Sequence, residues 1–120
     1  MITIYQRSSC GSSQKAMHWL DNNRISYKKS NIECLSHRQL ITILKLTDNG
    51  MEDIVKSQGD AKTKSKVKVL NRLKFNDALN YLQFHPEILR TPIIISHKKL
   101  LIGFHSENIR QFIPHNNRML

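Results

Sequence analysis

Several things that would point to a specialised architecture are scarce in this 120-residue sequence. It has 2 cysteines, Cys10 and Cys34, too few for a disulfide framework or for the four ligands of a structural zinc site. Their thiols are therefore either inert or redox-active. With 4 glycines and 3 prolines, no Gly- or Pro-rich linker and no internal repeat is visible. No stretch approaches the roughly 18 apolar residues of a membrane span, and the opening MITIYQRSSC lacks the charged and apolar regions of a signal peptide. The expected compartment is the cytoplasm, without a membrane partner. Acidic residues are also few, 9 Asp+Glu against 19 Lys+Arg, which leaves a formal net charge of +10. Such a field concentrates phosphate, nucleic acid or acidic protein surfaces near the chain. A merely solvated basic surface is the bland alternative. The length suffices for one hydrophobic core and leaves no room for a second domain of ordinary size.

Residues 2–5 are a short β-prone run that breaks into the polar, small-residue segment Arg7-Ser8-Ser9-Cys10-Gly11-Ser12-Ser13. This reads as a strand entering a tight loop. Ala16, Trp19 and Leu20 then share one helical face, and Asn22-Asn23 ends that helix. Residues 25–32 offer a second, more polar strand. Ser36 with Gln39 three positions on fits a capping box ahead of Leu40, Ile43 and Leu44, in a helix expected to stop near Asn49-Gly50. Residues 51–73 are helix-compatible, but Lys62, Lys64, Lys66 and Lys68 leave little apolar material to bury. That stretch reads as an exposed basic segment with little to hold it. Asn76-Asp77 can cap a further helix carrying Ala78, Leu79 and Leu82, ended at His85-Pro86 because the residue before proline avoids helical geometry. Thr91-Pro92-Ile93-Ile94-Ile95 sets proline before a buried-looking strand, and residues 100–104 return as a hairpin through His97-Lys98-Lys99. Ser106 can cap a last helix with Ile109, Phe112 and Ile113 inward, closed by Pro114 and followed by a frayed tail.

The order βαβ, helical middle, ββα predicts an α/β fold with a mixed four-stranded sheet and helices on its faces. This is the layout of a thioredoxin-like domain with a helical insertion between the second and third strands. One domain is expected over residues 1–120, with 1–35 and 85–120 as its core halves and 36–84 as the insert.

Cys10 falls where a strand hands over to a helix, so unpaired backbone N–H groups and the positive end of the helix dipole favour its thiolate. Arg7 and Lys15 add positive potential. The second position of a dithiol motif holds Ser13, making Cys10-Gly11-Ser12-Ser13 a Cys-x-x-Ser sequence that cannot close an internal disulfide. Sulfenic acid, a mixed disulfide with a small thiol, or a bond to Cys34 remain open to the candidate redox thiol Cys10. The 6 histidines show no ligand spacing with one another or with cysteine, so no metal and no cofactor are expected.

Taken in order, Ile2-Thr3-Ile4-Tyr5, Ser9-Cys10, Lys15-Ala16, Trp19-Leu20, Asn31-Ile32, the stretch Ile43-Leu44-Lys45-Leu46-Thr47-Asp48-Asn49-Gly50, His85-Pro86, Leu89-Arg90, Pro92-Ile93-Ile94-Ile95, Gly103-Phe104, Glu107, Ile109-Arg110 and Phe112-Ile113-Pro114 form a fairly specific pattern. The sequence resembles the Spx family of bacterial transcriptional regulators, within the arsenate reductase superfamily. The resemblance implies a protein without a catalytic cycle, monomeric on its own, that docks on the C-terminal domain of the RNA polymerase α subunit and redirects stress-related transcription. It assigns a docking-surface glycine at the end of the second helix to Gly50, with Thr47, Asp48 and Asn49 beside it. Promoter DNA would be met only within the polymerase complex, with Lys62, Lys64, Lys66 and Lys68 near its phosphates.

Departures from the family pattern bear on chemistry. Ser13 removes the second thiol of the Cys-x-x-Cys switch that family regulators often carry. Thr91, Gln58 and Phe104 stand where the superfamily's reductases are expected to supply arginines, leaving Arg7 and Arg90 as candidate anion-site cations. Arsenate reduction needs such donors against developing negative charge, so that activity is not expected. The sequence also ends soon after Pro114, without the longer tail through which family members can be recognised by proteolytic machinery. The competing reading is a monothiol oxidoreductase of glutaredoxin type, since Cys10-Gly11-Ser12-Ser13 resembles Cys-Gly-x-Ser and Thr91-Pro92 could border a glutathione site. Against it, Gly103-Phe104-His105-Ser106 stands where such proteins place a Gly-Gly-x-Asp-like turn. A thioredoxin-like adaptor without redox chemistry is the third.

Overall fold

A computed structural model describes residues 1–114, so the expectation of a frayed tail falls outside the described residues. Two compact units divide the described residues: residues 1–31 with residues 91–114, and residues 32–90.

The first unit is built on a four-stranded sheet of order β2-β1-β3-β4. Strand β1 (Ile2–Gln6) runs into helix α1 (Gly11–Asn22) and then strand β2 (Tyr27–Asn31), which lies parallel to β1 with Ile2 beside Tyr27 and Gln6 beside Asn31. Strands β3 (Ile93–Ser96) and β4 (Lys99–Ile102) form the expected hairpin, and β3 pairs antiparallel with β1, Tyr5 opposite Ile93. The result is the mixed, thioredoxin-like sheet that the sequence predicts. The core of this unit gathers Ile2 and Ile4 from alternate positions of β1 with Ala16, Met17 and Leu20 of α1, Ile94, Leu101, Ile109 and Phe112. Met17 joins Ala16 and Leu20 on the inward face of α1, and Trp19, half-buried, packs against the same core.

Several boundaries differ from expectation. Strand β2 starts at Tyr27, because Arg24 has φ +56° and turns the chain before the ladder begins. The hairpin turn is shorter by one residue, with His97 at φ +51° and Lys99 already paired with Ser96. The last helix is a 3-10 turn, Asn108–Phe112, preceded by Glu107 and without a side-chain cap. Ser106 therefore caps nothing. Pro114 holds Ile113 extended (φ −65°, ψ 127°), so the turn cannot lengthen into an α-helix.

The second unit is helical. Ser36 caps α2 (His37–Lys45) in the predicted capping box: its Oγ accepts from Gln39 N–H at 3.1 Å, and Gln39 Oε1 accepts from Ser36 N–H at 2.9 Å. Helix α2 ends at Lys45, earlier than expected, and Gly50 (φ +67°) instead precedes a short helix α3 (Met51–Ile54). Thr47 and Asp48 divert the backbone before Gly50 is reached. The lysine-rich segment is ordered as helix α4 (Ala61–Leu70): the Asp60 carboxylate caps it through Thr63 N–H at 2.9 Å, and Leu70 is buried. Helix α5 (Phe75–Phe84) begins one turn position before Asn76-Asp77, with Lys74 at its cap and no side-chain bond there. Ala78, Leu79 and Leu82 are buried, and His85-Pro86 ends the helix as expected. Ile54, Val55, Ile88 and Leu89 are also buried, and Val55 bridges to Leu89.

Capping yields a direct contrast. Ser36→Ala should cost about 1 kcal/mol of stability, whereas Ser106→Ala should stay within about 0.5 kcal/mol. Urea unfolding followed by circular dichroism measures both.

Candidate functional site

The first unit brings Thr91, distant in sequence, against the Arg7 guanidinium and the Cys10 thiol just beyond the C-terminal end of β1. Cys10 is the N-cap of α1 (φ −91°, ψ 116°), and its N–H returns to Arg7 O at 2.9 Å. Its Sγ lies 3.6 Å from Thr91 O, across a separation of 81 residues, beside the cis Thr91-Pro92 bond. Arg7 Nη1 donates to Thr91 Oγ1 at 3.3 Å, so guanidinium, hydroxyl and thiol share one corner. Ser13 is fully buried and its Oγ accepts the Arg7 N–H at 3.4 Å.

Partial burial pushes the Cys10 thiol up. Hydrogen bonds from the Ser13 and Thr91 side chains and from the Ser13 and Ser12 N–H groups outweigh that, and the net position lies below the ordinary thiol value. The loop thus favours thiolate, as the handover from strand to helix predicts. Thr91 supplies a carbonyl and a hydroxyl at the position where the superfamily's reductases are expected to carry an arginine.

The remaining expected cations lie elsewhere. Arg90 belongs to the second unit, where its Nη1 donates to Asp53 O at 3.2 Å and its N–H to Ile54 O at 2.9 Å. Gln58 is exposed in the loop before α4, and Phe104 packs against the core of the first unit. Cys34 is exposed in a 3-10 turn, Ile32–Cys34. Among the described residues, no group of three His, Cys, Asp or Glu side chains could hold a metal ion. Nor is any described helix long and apolar enough to cross a membrane.

The second unit presents a built loop at residues 47–50. Asp53 Oδ2 accepts the N–H groups of Asp48 (3.0 Å) and Asn49 (2.9 Å), and Oδ1 accepts Asn49 Nδ2 at 3.2 Å. Thr47 Oγ1 accepts Gly50 N–H at 3.0 Å and donates to Leu44 O at 2.6 Å. Hydrogen bonds from Asn49, then Asp48, together with the Arg90 charge, hold the Asp53 carboxyl below its ordinary value. Sequence reasoning named Thr47, Asp48, Asn49 and Gly50 but missed Asp53, the residue that fastens them. An aspartate following Asn-Gly at short range was the available signal. Beside Gly50, Ile41, Leu44, Lys45, Met51 and Phe75 line an apolar groove of about 440 Å³, with Phe75 53% exposed. A Cβ built on Gly50 meets no atom within 4 Å.

On α4, Lys66 is taken up by Glu87, Nζ to Oε2 at 2.6 Å, and His85 Nδ1 lies 3.2 Å from the same oxygen. Lys62, Lys64 and Lys68 are exposed.

A thiol at the start of α1, a mixed sheet whose strand β3 follows Thr91-Pro92 and a helical unit between β2 and β3 define the class, and the chain belongs to the ArsC family, whose profile matches residues 5–112. Its curated relatives are more particular: the Global transcriptional regulator Spx of Enterococcus faecalis is 37% identical, covering 100% of this chain and 92% of its own. Spx of Streptococcus mutans is 34% identical over 98% of this chain and 87% of its own. The chain is thus Spx-like along its length. Solved structures share the fold at lower identity. An ArsC family related protein from Bacteroides fragilis superposes with a TM-score of 0.78 (19% identity; 92% of this chain, 96% of that one). An arsenate reductase from Vibrio cholerae gives 0.67 (15% identity; 93% and 94%).

Ser13→Ala should raise the Cys10 pKa, since it removes the leading hydrogen bond that lowers it. The half-maximal pH of iodoacetamide alkylation therefore moves up, with Cys10→Ser as the blank and Cys34→Ala in the background.

Proposed function

We propose that this chain is a Spx-like regulator that docks through its Gly50 face on the C-terminal domain of the RNA polymerase α subunit and alters stress-related transcription. The observation that carries the docking surface is the exposed apolar groove of Ile41, Leu44, Met51 and Phe75 against a glycine whose Cβ position is open. An exposed aromatic beside aliphatic walls is the composition of a protein interface core, with Lys45 at the rim. Asp53 holds the loop at Thr47, Asp48 and Asn49 in one conformation before a partner arrives, which reduces the ordering cost of association. Similarity to curated Spx regulators over the whole chain supports the same role.

Exposed Lys62, Lys64 and Lys68 suit a position near promoter phosphates once the protein is held by polymerase, and such contacts weaken with salt. Lys66, paired with Glu87, contributes less than its neighbours. Arsenate reduction is disfavoured, because Thr91, Gln58 and Phe104 offer no cation and Arg90 is engaged with Asp53, which leaves Arg7 as the one expected guanidinium beside the thiol. The monothiol oxidoreductase remains the second reading, favoured by the lowered Cys10 thiol. It predicts turnover of glutathione mixed disulfides that Cys10→Ser abolishes, and robust turnover would displace the regulatory reading.

Binding to the α C-terminal domain separates the possibilities. Gly50→Arg should weaken it at least tenfold, about 1.4 kcal/mol, while Gly50→Ala, which shares the positive-φ penalty without the bulk, should bind within a few-fold of wild type. Undiminished binding of Gly50→Arg in a pull-down, or no binding by wild type, sinks the surface.

A further inference from the structure

The loop at residues 47–50 contains the dipeptide Asn49-Gly50, a pair prone to lose ammonia from the asparagine amide. In that reaction the Gly50 nitrogen gives up its proton and attacks Asn49 Cγ, the side-chain nitrogen leaves as ammonia, and a cyclic imide forms. Water then opens the imide at either carbonyl, leaving aspartate or isoaspartate at position 49. Water is consumed and ammonia released, with no oxidant or reductant. Glycine makes the step easy because no Cβ obstructs its nitrogen. Steric crowding offers no protection here: Asn49 is exposed, and a Cβ built on Gly50 meets no atom within 4 Å.

Hydrogen bonds hold both reacting groups instead. Gly50 N–H donates to Thr47 Oγ1 at 3.0 Å, and the Thr47 hydroxyl proton is committed to Leu44 O at 2.6 Å, so Oγ1 turns a lone pair to the amide. Asn49 Nδ2 donates to Asp53 Oδ1 at 3.2 Å, and Asn49 N–H to Oδ2 at 2.9 Å. Donation to an anion strengthens the resonance of the Asn49 amide, which makes Cγ a poorer electrophile. The same anion repels the negative charge that develops on Asn49 Oδ1 during attack. Held below its ordinary value, Asp53 is ionised at neutral pH and has no proton for the departing nitrogen. Asp53 is itself seated by its N–H on Gly50 O at 3.1 Å and by Arg90 Nη1 on its O at 3.2 Å.

We infer that Asn49-Gly50 is a self-modification site held in check by Asp53 and Thr47, and that its conversion opens the 47–50 loop irreversibly. A carboxylate at position 49 cannot donate to Asp53 and meets it with like charge, and isoaspartate also lengthens the main chain by a methylene. Loss of partner binding on conversion rests on the docking role proposed for this loop, whereas the chemistry does not.

The test incubates the full chain at neutral pH beside a synthetic peptide of residues 46–56, the tryptic fragment that carries the site, and follows the amide-to-acid exchange by mass spectrometry. The protein should convert about tenfold more slowly than the peptide or slower still, because bonds to a charged group must break first. Asp53→Ala should convert about tenfold faster than wild type, Thr47→Val about threefold faster, and Asp53→Asn at an intermediate rate. If circular dichroism shows that Asp53→Ala does not fold, the isosteric Asp53→Asn decides. Asn49→Gln, whose ring closure is slower, should give no product over the same period. In converted protein, separated by ion exchange, the Asp48 amide should lose its protection against hydrogen exchange. The inference fails if wild type converts as fast as the peptide, if the folded Asp53 variants or Thr47→Val convert no faster than wild type, or if Asn49→Gln matches wild type. It fails equally if converted protein keeps the Asp48 protection. Converted protein should also bind the α C-terminal domain more weakly; if wild type does not bind it, the docking reading falls while these rates still decide the inference.

Discussion

The pairing of β1 with strands from both ends of the chain is the constraint on which the thiol site depends. Parallel bonding to β2 fixes the crossover that makes α1 start just beyond Gln6. Antiparallel bonding to β3 sets Tyr5 opposite Ile93, and by continuing that register Thr91 arrives beside Arg7 and Cys10. A one-residue slip of β3 would turn Ile94 out of the core and carry Thr91 away from the sulfur, so burial and site geometry are enforced by the same ladder.

A comparable economy governs the second unit. The two oxygens of Asp53 bind the backbone of Asp48 and Asn49 and the Asn49 amide, and Thr47 fixes Gly50. Polar bonding within the loop leaves the apolar side chains next to it, Met51 and Phe75, facing the groove. In the proposed role, this groove is the docking face. The thiol corner at Cys10 and the groove beside Gly50 belong to separate units.

Much of this was legible from residue order. Strand and helix periodicity located all four strands and the buried faces of α1, α2 and α5, since alternation and 3.6-residue spacing are local properties. The Ser36 capping box was readable because both bonds span three residues. What failed was decided by competition with distant groups. Ser106 and Asn76-Asp77 are good capping residues that do not cap, because the last turn begins after Glu107 and α5 after Lys74, one or two residues away from where those side chains could serve. The basic run looked unsupported because Asp60, Leu70 and Glu87, which hold α4, lie at its edges or beyond.

The sequence by itself determined the order of elements, the solitary motif thiol at Cys10, the serine in place of its partner and the excess of positive charge, because each depends on residue identity and short spacing. Tertiary structure decided which of those residues meet. It set Thr91 against Cys10, assigned Arg90 to Asp53, paired Lys66 with Glu87 and opened a groove beside Gly50. The physical reason is range: caps and faces are fixed within a few residues, whereas the environment of a thiol or a cation is set by groups that the chain's fold brings to it from dozens of residues away.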